Sequence, residues 1–256
     1  MQSPRLVLVT GDDLRHEYFI RRINARFAVH SVFAESKHYP SQPFATKEAE
    51  RAWLWFFERR QEYEQREFAP VRDWPRANHP VYETLQPGDL HVDSFLKKLK
   101  RIDPDLILLF DCGLVGQSLL NAFPGRILNL HVGLTEEYRG SSCNFWPIHD
   151  ERLDCLGATI LKIDPGIDTG AILEQGTVTV EPGDDEQSLI GKTLKLGVEL
   201  MEKVVSQWRS GGWKARPPES PGVLFQRKDL NPEAMLTVRR LVEGPRWQSL
   251  LEQYSG

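Results

Sequence analysis

The chain has 256 residues, 40% of them apolar and 27% charged, a balance that falls in the globular range and excludes a disordered, collagen-like or repeat protein. A formal charge of −4 predicts no broad attraction to phosphate backbones, and the 3 cysteines lack CxxC spacing, so neither a disulfide framework nor a zinc site is expected. The length predicts a single α/β core over 1–210 carrying a small appendage over 211–256.

The N-terminus enters a short apolar run without the basic stretch or cleavage site of a signal peptide. No apolar window reaches membrane-spanning length, so a cytoplasmic protein is expected. Leu6 to Val9 read as a strand ending at Thr10-Gly11, after which Asp12 and Asp13 can cap a helix carrying Leu14, Tyr18 and Phe19. A phosphate at that helix start is disfavoured by the two carboxylates, and Arg15 and His16 read as solvated helix positions. Val29 to Ala34 form a second strand, and Thr46 caps a long helix that buries Ala49, Ala52, Trp53, Phe56 and Phe57. Pro70, Pro75, Pro80 and Pro87 rule out a continuous helix between Phe68 and Gly88, which predicts an irregular surface insertion.

Ser94 can cap a helix with Phe95, Leu96 and Leu99 inward, and Pro104 ends it. The run LILLF ending at Phe110 suits a fully buried parallel strand, and ILNLH ending at His131 follows as another. Strands separated by helical segments predict parallel βαβ units and hence a mostly parallel sheet flanked by helices. From Gly157 the segments GATILKID and AILEQGTVTV alternate as strands around the turn PGIDTG. A helix from Glu186 to Trp208 buries Leu189, Leu194, Leu196, Leu200 and Val204, Gly211-Gly212 mark a boundary, and the Pro-rich tail holds one short strand at VLFQR and a helix or two.

In an open parallel sheet, ligands gather beyond the carboxyl ends of the strands. There Asn129 and His131 share one side of their strand, because side chains alternate with period two. An isolated Asn-x-His usually only satisfies loop backbone, but this one is followed by the polar loop Tyr138-Arg139-Gly140-Ser141-Ser142 and by Asp168. An amide, an imidazole and a carboxylate together can polarise a carbonyl and move a proton. Tyr138 and Arg139 can bind an acceptor, Arg139 by a bidentate contact, or can pack the loop. Cys143 and Cys155 read as small apolar residues.

Three blocks, DPDLILLFDCGLVG at 103–116, ILNLHVGLTEEYRGS at 127–141 and GATILKIDPGIDTGAIL at 157–173, resemble in order and spacing the folate-dependent formyltransferases, the family of glycinamide ribonucleotide, methionyl-tRNA and sugar-nucleotide N-formyltransferases. The resemblance implies the Rossmann-like formyltransferase fold, with 10-formyltetrahydrofolate as formyl donor and no metal. Asn129, His131 and Asp168 match the family's catalytic Asn, His and Asp. Asn129 and His131 are thereby implied to hold a developing oxyanion, and Asp168 to set the charge of His131 and organise a proton-relaying water. The donor is implied to lie between the loop around Cys112 to Gly116 and the loop around Ile163 to Asp168, with Leu114, Asp164 and Ile167 as contacts. Where many members read His-Pro-Ser-Leu-Leu-Pro, this chain has His131-Val-Gly-Leu-Thr135-Glu136-Glu137, and its GSSCNFWPI stretch looks more like sugar-directed relatives.

The implied acceptor is a small-molecule amine, an amino-sugar nucleotide first. A methionyl-tRNA enzyme is the alternative, but the tail has only a modest basic bias, so nucleic acid is not the expected partner. A formyltetrahydrofolate hydrolase would carry a further N-terminal domain, and a non-catalytic binding module on the same fold would have no need of all three polar residues. A homodimer is compatible with the sequence.

Overall fold

The computed structural model describes residues 4–36, 43–69, 81–208 and 211–255. Its seven-stranded sheet has the order β3-β2-β1-β4-β5-β7-β8, with β1 Leu6–Thr10, β2 Val29–Glu35, β3 Tyr82–Leu85, β4 Leu106–Phe110, β5 Ile127–His131, β7 Gly157–Lys162 and β8 Ile172–Thr177. The strands from β3 to β5 run parallel, and β7 and β8 close the sheet antiparallel. The chain winds outward from β1 to β3 and returns beside β1 as β4, so the strand order reverses between β1 and β4, where ligand crevices form in such sheets.

Period two divides the apolar side chains of the strands between two cores. Leu6, Leu8, Leu106, Leu108, Leu128 and Leu130 pack against Phe19, Ile20 and Ile23 of α1 (Leu14–Arg26) and Val198, Met201 and Val205 of α6 (Glu186–Trp208). Val7, Val9, Ile107, Leu109 and Ile127 face Phe95 and Leu99 of α3 (Asp93–Ile102) and Leu119 of α4 (Gln117–Ala122). A third cluster joins Ala52 and Phe56 of α2 (Lys47–Glu67) and Trp146 of α5 (Trp146–His149) to Met235 and Val238 of α7 (Pro232–Glu243) and to Leu250 of α8 (Arg246–Tyr254). The tail also supplies β9 (Val223–Phe225), which pairs in parallel with β6 (Tyr138–Gly140). No helix among the described residues is long and apolar enough to cross a membrane.

Several local expectations are corrected. Ser94 lies inside α3, whose cap is Val92. The Val92 N–H is already bonded to Asp89 O, so the preceding turn feeds the helix without a side-chain cap. Trp53 and Phe57 are half-buried, and the polar side of α2 buries Tyr63 and Glu64, the latter paired with Arg15 and Arg60. Leu196 and Leu200 are half-buried as well. Part of the expected insertion is β3, an edge strand whose Tyr-Glu-Thr-Leu lacks apolar alternation because only Leu85 is buried. Pro70, Pro75 and Pro80 lie outside the described residues.

Candidate active site

Asn129 and His131 stand on the β5 face opposite Leu128 and Leu130, with His131 only 5% exposed. Because β7 runs antiparallel to β5, it leaves the sheet beside Leu128, and the turn after it comes back over β5. Asp164 shapes that turn, its Oδ1 accepting from Gly166 N (3.0 Å) and Thr169 Oγ1 (2.7 Å). Asp168 emerges at φ +51°, a left-handed conformation that a residue with a side chain adopts at a cost of about 1–2 kcal/mol.

The bent backbone brings its carboxylate between the two β5 side chains. Asn129 Nδ2 donates to Asp168 Oδ1 at 3.1 Å, Gly140 N donates to Oδ2 at 2.9 Å, and His131 Nδ1 lies 3.3 Å from Oδ2. His131 Nε2 lies 3.0 Å from Tyr138 O. Both ring nitrogens therefore face acceptors, an arrangement that an imidazole carrying two protons satisfies. Asn129 keeps a second amide N–H beside the one spent on Asp168. Together the three residues form a donor-rich corner that can hold charge on a carbonyl oxygen and pass a proton.

The flanks show what the neighbouring residues bond to and pack against. Tyr138 is buried: its hydroxyl donates to Asp150 Oδ2 at 3.1 Å and its ring lies against Phe225, so its side chain braces the wall and its carbonyl receives the His131 ring. Arg139, read as an acceptor ligand or as packing for its loop, spends Nε on Gly222 O (2.9 Å) and Nη1 on Ile167 O (3.1 Å). Gly133 stands where a Cβ would meet Cys143 Cβ at 2.6 Å and His131 Nε2 at 2.7 Å, so the missing side chain makes room for the ring. Burial drives the Cys143 thiol well above its ordinary value and pushes Cys155 up to about 12, which removes both as thiolate nucleophiles.

Of the implied donor contacts, Leu114 is 66% exposed on the loop after β4 and Ile167 is 36% exposed just before Asp168. Asp164 is occupied with its own turn. The β4 loop is anchored by buried Glu35, whose Oε2 accepts from Gly113 N at 2.6 Å, a contact between distant segments with no local sequence signal. Two concavities lie away from the triad, the smaller of them lined in part by Asp164. One of about 520 Å³ follows the β8 edge beside Glu136, Gln175, Lys214 and Arg216, and one of about 270 Å³ lies beside Leu120, Phe123, Ile163 and Pro165. Neither is lined by Asn129, His131 or Asp168. The first is walled by a Glu136–Arg216 pair whose charges already satisfy each other, so the hydrogen-bonded triad is the better guide to chemistry.

A second buried histidine lies where β1 and β4 diverge. His16 was expected in solvent, but its ring is fully buried, folding over Gly11, which has no side chain to obstruct it. Nδ1 accepts the Asp13 N–H at 2.9 Å, which leaves Nε2–H to donate to Asp111 Oδ2 at 3.0 Å. Arg15 joins the same group through Asp13, Asp111 and Glu64. Burial, and next the Arg15 charge, lower the His16 pKa despite Asp111.

Known proteins share the fold and, in part, the sequence. The chain is 31% identical over 128 residues to a methionyl-tRNA formyltransferase of Thermodesulfovibrio yellowstonii, covering 49% of this chain and 41% of that protein. It spans less than half the length of the curated relatives it matches. A 4-N formyltransferase from Francisella tularensis superposes with a TM-score of 0.58 at 19% identity, covering 94% of this chain and 89% of that one. An N-formyltransferase from Helicobacter canadensis, in complex with folinic acid and dTDP-3-aminofucose, gives a TM-score of 0.59 at 15% identity over 92% and 80% of the two chains. The formyl transferase family model matches residues 34–205, a span that runs from β2 into α6 and contains Asn129, His131 and Asp168. With about two thirds of its sequence inside that match, the chain belongs to the formyl transferase family.

Proposed function

We propose that this protein transfers a formyl group from 10-formyltetrahydrofolate to a primary amine of a small acceptor, most simply an amino-sugar nucleotide, with Asn129, His131 and Asp168 as its catalytic groups. The observation that carries the reading is the corner in which one carboxylate orients an amide and faces an imidazole. The second Asn129 N–H suits a formyl oxygen, and the exposed side chains of Leu114 and Ile167 offer apolar surface for a pterin or benzoyl ring. A formylated folate supplies the carbonyl carbon. As the amine nitrogen bonds to that carbon, the second amide N–H of Asn129 holds the charge gathering on the oxygen, beside the His131 ring whose two nitrogens face Asp168 and Tyr138 O. Asp168 balances His131 and orders the path by which a proton lost from the amine reaches the folate nitrogen as its bond to carbon breaks.

A small acceptor is supported by the tail as well as by the ligands of the Helicobacter canadensis protein. Arg216, Arg239, Arg240 and Arg246 each close on a carboxylate, Glu136, Glu243, Glu48 and Glu151 respectively, instead of forming an open basic stripe. The methionyl-tRNA relatives favour a second reading, with aminoacyl-tRNA as the acceptor. Tetrahydrofolate release with a panel of amino-sugar nucleotides, and separately with methionyl-tRNA, decides between them. Release only with the tRNA removes the sugar reading, and no release with any amine despite folate binding removes formyl transfer itself.

A further inference from the structure

Asp168 is held in its left-handed conformation from two sides, and both lead to the same short strand. From the side-chain end, Gly140 N donates to Oδ2 at 2.9 Å. From the backbone end, Arg139 Nη1 donates at 3.1 Å to Ile167 O, the carbonyl of the peptide that leads into Asp168. Arg139 and Gly140 are neighbours in β6, and β6 is fixed by the tail: Arg139 lies opposite Leu224, Gly140 opposite Phe225, and Ser141 N donates to Phe225 O at 2.9 Å. Arg139 Nε reaches Gly222 O at 2.9 Å on the approach to β9. Gly140, at φ +89°, has no room for a Cβ against the Phe225 carbonyl. The Phe225 ring stacks on Trp146 with centroids 4.1 Å apart and planes 13° apart.

A planar guanidinium donates from separate nitrogens held in a fixed fork, a span between two acceptors that the single nitrogen of a lysine does not reproduce. We infer that Arg139 is a positioning residue for Asp168, a strut whose two ends tie the turn before Asp168 and the tail before β9 to one strand, so that the tail is part of what aims the carboxylate. This rests on the reading of Asp168 as a catalytic group in formyl transfer. It assigns Arg139 to the carboxylate and not to the acceptor.

Arg139→Ala and Arg139→Lys test the strut by two independent readouts. Amide hydrogen exchange over 164–170 should quicken by about tenfold or more in both variants, while exchange in α6 stays at the wild-type rate and shows that the fold is intact. Under turnover, kcat should fall by about 10- to 100-fold, because a catalytic group displaced by about 1 Å loses rate on that order, with KM for both donor and acceptor within about threefold of wild type. Unchanged exchange over 164–170 overturns the inference whatever the activity. So does faster exchange with kcat intact, and so does a raised acceptor KM with kcat intact, which would make Arg139 an acceptor ligand. Should wild-type protein release no tetrahydrofolate with any amine, formyl transfer fails, while the exchange comparison still decides whether Arg139 holds the turn.

Discussion

His131 with Asp168 and His16 with Asp111 are nearly matched pairs: each ring is buried, each carboxylate oxygen lies 3.3 or 3.0 Å from a ring nitrogen, and each aspartate has positive φ, +51° or +47°. They differ in what the other ring nitrogen meets. At His131 it is a second acceptor, Tyr138 O; at His16 it is a donor, the Asp13 N–H. A donor on one nitrogen and an acceptor on the other lock a neutral ring into one tautomer, and burial and Arg15 reinforce that form at His16. At His131 both ring nitrogens face acceptors, so no donor fixes one neutral tautomer there. The partner of the far nitrogen thus separates a histidine locked into one tautomer from the one proposed to act in formyl transfer, and substitution tests the contrast.

The largest expected effect is on rate at the first pair. Asn129→Ala, His131→Ala and Asp168→Ala should each lower kcat by about 10³-fold, equivalent to about 4 kcal/mol of barrier, with donor affinity nearly kept. Steady-state tetrahydrofolate release measures it, and an active His131→Ala protein would end the catalytic assignment. The second pair should respond in stability. His16→Ala removes a fully buried ring and leaves the Asp13 N–H without its ring partner, which should cost about 3 kcal/mol in denaturant unfolding. Because the folded-state pKa of His16 is lowered, its contribution is present above the unfolded value of about 6.5 and is lost as pH falls toward the folded value. Wild type should therefore lose more stability than His16→Gln between pH 7.5 and pH 5; parallel pH curves would show that the buried neutral ring does not set the slope.

The two pairs also differ in how far they can be read from sequence. Asn129 and His131 are legible as polar residues at period two within a Leu/Ile strand, and most of the sheet follows from apolar runs of the same kind. Asp168 is legible as a carboxylate downstream of that pair and through the PGIDTG block, but not from periodicity, because a residue at the end of a turn has none to place it. His16 reads as a surface position because its burial depends on Gly11 and on Asp111, 95 residues away. Arg139 is the same kind of case: a guanidinium that bonds two carbonyls from distant loops has the same sequence as one awaiting an anion. Edge strand β3 escapes because an exposed edge strand needs no buried alternation.

Gly133 sharpens the comparison with a smaller effect. A methyl group there would meet Cys143 Cβ at 2.6 Å and His131 Nε2 at 2.7 Å, so either the loop or the ring must shift. Gly133→Ala should destabilise by about 2 kcal/mol by overpacking and should also lower kcat, because the ring that shifts is His131. A variant that is less stable yet fully active would mean that Cys143 gives way and that the His131 position tolerates the change.

The smallest effect is expected at a carboxylate that has no histidine. Glu136 sits five residues after His131, receives both guanidinium nitrogens of Arg216 at 2.7 and 2.8 Å and the Glu219 N–H at 2.7 Å, and has its pKa lowered to about 2, chiefly by Arg216. The depressed value means that its stabilisation is complete above the unfolded carboxylate value of about 4.3 and fades as pH falls toward about 2. Arg216 is 43% exposed, so solvent screens the pair, and Glu136→Gln should cost only about 1 kcal/mol at pH 7. The melting difference between wild type and Glu136→Gln should shrink steadily from pH 5 to pH 3 while kcat at pH 7 stays within about twofold, since Glu136 bonds the tail and none of the triad. A large loss of kcat with little loss of stability would instead place Glu136 in the chemistry and add the loop after β5 to the proposed catalytic set.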